Sequence, residues 1–384
     1  MNKKTTFVAL CLAMSLGSWA QTKQGGISPQ MLSEIQKLQS QTPASKALFN
    51  AIAANNIDDL VKNHANQGPV DTHFSVETPA QSIHDQKSSG RCWMFSGFNV
   101  LRSNFAKAHG DSLKVELSHD YLFFYDQLEK ANLMLQGVID NAKKPIDDTR
   151  VQFFFKSPIN DGGTFCGVAD LADKYGVVPM SIVPETYSAE NTSRISRLVA
   201  SKLREFGLEL RDMVAKGKNA KAINERKTQM LATVYNMLSM TLGEPVKEFT
   251  YAFTDKNGKT VGTPKKYTPK EFFHEVVGDG IKGTFIMVMN DPRRPYHKTY
   301  EVEYDRHTYD GTNWKYLNLP MDEIAQLAIA SLKDGRKMYS SYDVGKQYDR
   351  KRGLLDVNNY DYASLFSTTF GMDKAQRIST FDSG

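Results

Sequence analysis

Cysteine is scarce in this chain of 384 residues, with only Cys11, Cys92 and Cys166. Cys11 lies in an N-terminal apolar run, so two cysteines remain for the folded protein. Two cannot build the disulfide framework of a small secreted scaffold, and both are expected to be free thiols. Two also cannot make a Cys-x2-Cys zinc site. There is no Gly-x4-Gly-Lys-Ser/Thr phosphate loop and no His-Glu-x2-His metal motif. Neither a metal nor another cofactor is therefore expected. Excess charge is small as well: the net +5 falls to +3 without Lys3 and Lys4. No Lys/Arg cluster interleaves with aromatics, so nothing calls for nucleic acid. No internal repeat is apparent. After residue 20 no apolar run approaches the roughly 20 residues that span a bilayer.

With 40% hydrophobic and 24% charged residues the make-up is globular, with room for a large core or two to three domains. Residues 1–20 read as a secretory signal peptide. Lys3-Lys4 supply the positive start, Phe7 to Gly17 the apolar core, and Ser18-Trp19-Ala20 the small residues at a cleavage site. A retained N-terminal anchor is the alternative. The mature protein is expected to be periplasmic or extracellular.

The most informative stretch runs from Gln86 to Phe95. A glycine-containing loop ends there and a helix begins. Met94, Phe98, Leu101, Phe105 and Ala108 recur at three- to four-residue spacing and define one apolar face. Gly110 is the predicted stop. Cys92 then sits in the first turn, where unpaired N–H groups and the helix dipole favour a thiolate. The amide of Gln86, six residues earlier, could donate to an oxygen held beside the sulfur. A thiolate and an amide donor are half of an acyl-transfer site.

Gln-x5-Cys-Trp resembles the nucleophile segment of the papain-like cysteine peptidases. Gln86-Lys87-Ser88-Ser89-Gly90-Arg91-Cys92-Trp93 is closer still to the bleomycin hydrolase / aminopeptidase C branch. The better-known papain signature carries a second Cys where this chain has Ser89. The resemblance implies an α+β, papain-like fold: a helical half with the Cys at a helix N-terminus and an antiparallel β-barrel-like half, with helical insertions. It implies Cys92 as nucleophile, Gln86 in the oxyanion hole, and Gly162 and Gly163 holding the substrate backbone. Two glycines also suit a tight turn alone.

Residues 21–70 are predicted to form an N-terminal helical arm, with a break at Asn55-Asn56. Ser118 is the expected N-cap of a second helix, with Tyr121, Leu122, Tyr125 and Leu128 on its apolar side. His119 reads as a surface or capping residue. Residues 190–242 carry two apolar stripes, Ile195 to Met213 and Leu231 to Leu238, broken near Gly217. They resemble a helical insertion that helps to build a closed oligomeric ring in the branch, a homo-hexamer. Asn257-Gly258 signals a hairpin. Phe285–Met289 reads as a buried strand, Tyr300–Tyr304 as a half-exposed one, and Tyr339–Gly345 as another. The peptidase domain is assigned to residues 71–384.

The resemblance also implies a His base and an orienting Asn in an Asn-Ser-Trp-Gly segment. No such segment is present, and none of the eight histidines has that context. Phe381-Asp382-Ser383-Gly384 would stand just before the His, so the last part of the β half is expected beyond Gly384. The functional expectation is an exported peptidase, an aminopeptidase that cleaves peptides through a Cys92 thioester. The alternatives are a non-catalytic papain-like scaffold that binds peptides or a partner chain, and another thiol acyltransferase.

Overall fold

The computed structural model describes residues 25–39, 42–79 and 81–382. The signal-peptide assignment to residues 1–20 lies outside them. The chain divides into two compact units, residues 1–69 with 344–370, and residues 70–343 with 371–384.

In the first unit, α1 (Pro29–Leu38) starts at Ser28, whose hydroxyl accepts from Met31 N, with Pro at the first helical position. Helix α2 (Pro43–Ala54) starts on a reciprocal capping box between Thr42 and Ser45. The break at Asn55-Asn56 is present: Asn55 ends α2 and Asn56 caps the short helix Ile57–Leu60. The arm does not pair with itself alone. Residues 344–370, which the sequence placed within the peptidase domain, close on it. Asp361 N donates to Val61 O, Asn63 N donates to Asn359 O, and Arg352 reaches Asn66 O at 2.6 Å.

The second unit is built on a bundle of helices. Helix α3 (Cys92–Ala108) buries Met94, Phe98, Leu101 and Phe105, as its period requires, although Ala108 is exposed. Helix α4 (His119–Asp140) is capped by Ser118, whose hydroxyl accepts from Tyr121 N. Helix α5 (Phe165–Tyr175) packs on both α3 and α4. Helices α6 (Ser193–Ala215) and α7 (Ala220–Leu242) cover another side of α4 and bury Ile195, Val199, Leu203, Leu210, Val234 and Leu238. Their junction falls at Gly217, the position that the broken stripes marked. Because neighbours surround α4, it is buried on nearly every face, including its charged residues Asp120, Asp126, Glu129 and Lys130.

Helix α8 (Pro269–Val277) starts on a Thr268–Glu271 capping box, with Pro at its first position. A three-stranded sheet follows, formed by β1 (Val288–Met289), β2 (Lys298–Glu301) and β3 (Lys315–Asn318) in the order β1-β3-β2. Strand β1 runs parallel to β3, and β2 runs antiparallel to it. Helix α9 (Met321–Lys333) comes next. The hairpin turn is present: Gly258 N donates to Asp255 O at 3.0 Å.

Two strand predictions need correction. Only Val288 and Met289 of the 285–289 run are in a strand, and Ile286 is 79% exposed. A short apolar run carries no period that separates a buried strand from a surface one. Here β1 is hydrogen-bonded on one side only, to β3. The 339–345 run is irregular. Tyr339 instead turns its ring toward Phe165, with centroids 5.6 Å apart.

Candidate active site

Cys92 is exposed, at the first position of α3, and Cys166 is half-buried; both thiols are free. Arg91 ends the loop without a side-chain cap, and its carbonyl accepts from Met94 N and Phe95 N. Among the described residues the Cys92 N–H has no hydrogen-bond partner. The helix therefore presents an open donor beside the sulfur.

The loop before the helix is braced from within. Lys87 takes a left-handed conformation, φ 54°, and its N–H donates to Asp85 Oδ1. Ser89 Oγ donates to Gln86 O, and Arg91 Nε donates to Ser89 Oγ. Gln86 Nε2 donates to Ser89 O at 2.6 Å. The expected oxyanion donor thus lies in the loop beside Cys92, with one amide N–H engaged locally and the second to spare. Gly90 is required by close approach: its N–H donates to Asp161 Oδ2, and a Cβ would lie 2.5 Å from Asp161 Oδ1. Asp161 also accepts from Thr192 Oγ1, so one carboxylate joins the nucleophile loop, the segment before the glycine pair and the start of α6.

Gly162 and Gly163 run along α3 at Trp93, and they play different parts. The Gly162 carbonyl accepts from the buried Lys130 Nζ at 2.6 Å. Gly163 is exposed, and among the described residues neither its N–H nor its C=O has a hydrogen-bond partner. A Cβ on Gly163 would collide with the His307 ring and lie 3.0 Å from Trp93 Cδ2. Close approach, not a turn, demands the glycine.

Beneath the cleft lies a second layer of buried charge. Arg91 is fully buried, with Nη1 2.8 Å from Glu185 Oε2, although the two are not aligned as a hydrogen bond. His119 lies beside them, stacked on Phe95 with centroids 3.6 Å apart and 3% exposed. The surface role expected for it is wrong, because α3 closes over the start of α4. Burial lowers the His119 pKa, against the pull of Glu185. Asp120, next in the chain, is pushed up to about 7, chiefly by burial, while its Oδ2 accepts from Thr186 N.

Asp126, Lys130 and His307 form another buried group, on the far side of Trp93. Burial works against the Asp126 charge, yet Lys130 and His307 hold its pKa below the usual carboxylate range. The His307 pKa is lowered by burial first and then by Lys130, against the pull of Asp126. A neutral imidazole beside a carboxylate must carry its proton on Nδ1, which donates to Asp126 Oδ1. Tyr339 lies near both thiols; burial pushes its phenol up to about 12, and Cys92 and Cys166 add to the effect.

No described imidazole is hydrogen-bonded to Cys92. His84 and His297 pair with Glu116 and Glu323. His109 and His274 bond backbone carbonyls. Arg91, Asp161, Lys130 and His307 escaped the sequence reading. One signal was available: Asp126 and Lys130, at i and i+4, interrupt an apolar helix, and charge on a buried face needs a partner.

The fold and this cleft have relatives. The model of the Peptidase C1-like family matches residues 26–384. The aminopeptidase C of Lactobacillus delbrueckii subsp. lactis is 37% identical over 347 residues, which are 90% of this chain and 76% of that protein. Human bleomycin hydrolase is 36% identical over 316 residues, 79% of this chain and 68% of that protein. The crystal structure of PepW from Lactobacillus rhamnosis HN001 superposes with a TM-score of 0.87 at 33% identity, over 93% of this chain and 80% of that one. A thiol at an open helix start, read together with these matches, places the chain in the Peptidase C1-like family, in the aminopeptidase C / bleomycin hydrolase branch of the papain-like cysteine peptidases.

Proposed function

We propose that this protein is an exported aminopeptidase in which Cys92 is the nucleophile. The Cys92 sulfur attacks the carbonyl carbon of the first peptide bond. The resulting oxyanion accepts from the Cys92 N–H and the spare Gln86 amide N–H. The C–N bond breaks, the protonated amine leaves, and water hydrolyses the thioester to release the amino acid and free the thiol. In this reading Gly163 offers its exposed N–H and C=O to the substrate backbone, and Gly162 fixes that edge through its inward carbonyl. The thiol proton passes to a general base, which hands it on to the leaving amine.

One observation carries the reading: an exposed thiol at a helix start and the exposed Gly163, with the Cys92 N–H and the Gly163 N–H and C=O all without a hydrogen-bond partner among the described residues. The similar proteins called aminopeptidase C favour removal of single N-terminal residues. The test uses native protein from its own cells, offered peptides with free and with acetylated N-termini. Hydrolysis of the free peptides only, lost in Cys92→Ala, is the expected result. Equal cleavage of both would refute the exopeptidase mode. Peptide binding without hydrolysis would make the protein a scaffold.

Export and assembly belong to the same proposal. The N-terminal charge and apolar run support secretion, with a mature N-terminus at Gln21. Among the described residues no helix is long and apolar enough to cross a membrane. N-terminal sequencing of protein from cell fractions tests the first point. The likeness to the branch supports a homo-hexamer, which light scattering would detect.

A further inference from the structure

Three consecutive carbonyls before the exposed edge of Gly163 are turned into the protein. Asn160 O accepts from Lys130 Nζ and from Gln127 Nε2, each at 3.0 Å. Asp161 O accepts from Trp93 Nε1 at 2.8 Å. Gly162 O accepts from Lys130 Nζ at 2.6 Å. Lys130 therefore grips this segment at two points. The same ammonium lies 5.5 Å from the ring centroid of Trp93, the residue after the nucleophile. Asp126 Oδ2 holds the ammonium at 2.9 Å, and Asp126 Oδ1 accepts from His307. The His307 ring packs against Trp93, with centroids 4.4 Å apart, and fills the space beside Gly163 and Gly167.

We propose that Lys130 is a positioning residue for peptide binding: held by Asp126 and walled by His307, it turns the Asn160 and Gly162 carbonyls inward and so presents the Gly163 N–H and C=O to the substrate backbone. The proposal rests on the reading of Gly163 as the peptide-binding edge. Several features favour positioning over bulk stability. A buried ammonium donates three hydrogen bonds, and here all three have acceptors: one carboxylate and two backbone carbonyls. An ion pair needed only for the core would not have to reach the segment that lines the cleft. An ammonium pulled out of water costs much and is retained only where its partners are fixed. Those partners are the carboxylate of α4 and the backbone of the cleft wall.

The experiment compares native protein with Lys130→Met and Lys130→Arg. The substrate is a peptide in which each non-scissile amide is replaced in turn by an ester. In the native protein one replacement should raise KM several-fold, because it removes an N–H that Gly163 O accepts. Lys130→Met should raise KM for the parent peptide by roughly five- to tenfold, with a smaller change in kcat. It should also erase the amide-to-ester difference, and Lys130→Arg should restore part of both. Alkylation of Cys92 by iodoacetamide, which does not use the edge, should keep its rate. If no ester affects the native protein, the reading of Gly163 falls and the proposal falls with it. If the ester effect is present and Lys130→Met leaves it intact, the positioning role alone is overturned. A drop in the alkylation rate of Lys130→Met would also overturn it, because Lys130 would then act on the nucleophile. Should Lys130→Met not fold, Asp126→Asn loosens the same ammonium at constant volume and carries the same comparison.

Discussion

The imidazole of His307 occupies the space that a side chain on Gly163 would need, and Trp93 closes the other side. Gly163→Ala should therefore displace a ring that is itself held by Asp126. Overpacking of this kind costs about 1–3 kcal/mol. KM should rise too, because the edge moves. His307→Ala should relieve the clash, so the double variant should be more stable than the sum of the two single losses predicts. Urea unfolding of the four proteins gives the coupling, and strict additivity would contradict the packing described.

The two thiols should react at different rates. Cys92 is exposed. Cys166 is half-buried, burial pushes its thiol up, and Thr164 Oγ1 lies 2.8 Å from its sulfur. Limited iodoacetamide near pH 7 should label Cys92 about tenfold faster or more, and the loss of activity should follow that label. Peptide mass analysis reads both rates. Equal labelling would mean that α5 opens far more readily than its packing implies.

Asp120 should make stability depend on pH. Its folded pKa is raised to about 7, chiefly by burial, while an unfolded Asp titrates near 3.9, roughly the usual value. The folded state therefore holds the proton more tightly. The contribution is fully present below about pH 4 and is lost as pH rises through about 7. Asp120→Asn removes this dependence. Between pH 4 and 8 the native protein should lose stability relative to Asp120→Asn, by an amount on the order of a few kcal/mol. Denaturant midpoints across that range check the sign, and parallel curves would refute it.

Arg91 and Glu185 should behave as a pair. Arg91 is fully buried, and its guanidinium lies over the Phe95 and Phe123 rings at 5.2 and 5.4 Å. Arg91→Met leaves Glu185 facing an apolar layer without its cation and should cost about 3–5 kcal/mol. Adding Glu185→Gln should recover part of the loss. Calorimetry of the native protein and the two variants measures the recovery; none at all would mean that Arg91 acts through packing alone.

What the sequence determined by itself is local. Caps, helix period and the Gln86-to-Cys92 spacing act within a few residues, so the starts of α3 and α4 and the break at Gly217 could be read directly. The wording of one loop also carried the family. Tertiary structure decided the rest. His119 looked like a surface cap and became a core ring, because its exposure depends on Phe95 of another helix. Ile286 looked buried and is exposed, because a strand's burial depends on what covers it. Asp126 and His307 are 181 residues apart and meet only when α4 and the 305–312 loop close on Trp93. Periodicity marks which face of an element is apolar, but only packing selects which buried charges find each other, since each must be paired wherever the fold brings it.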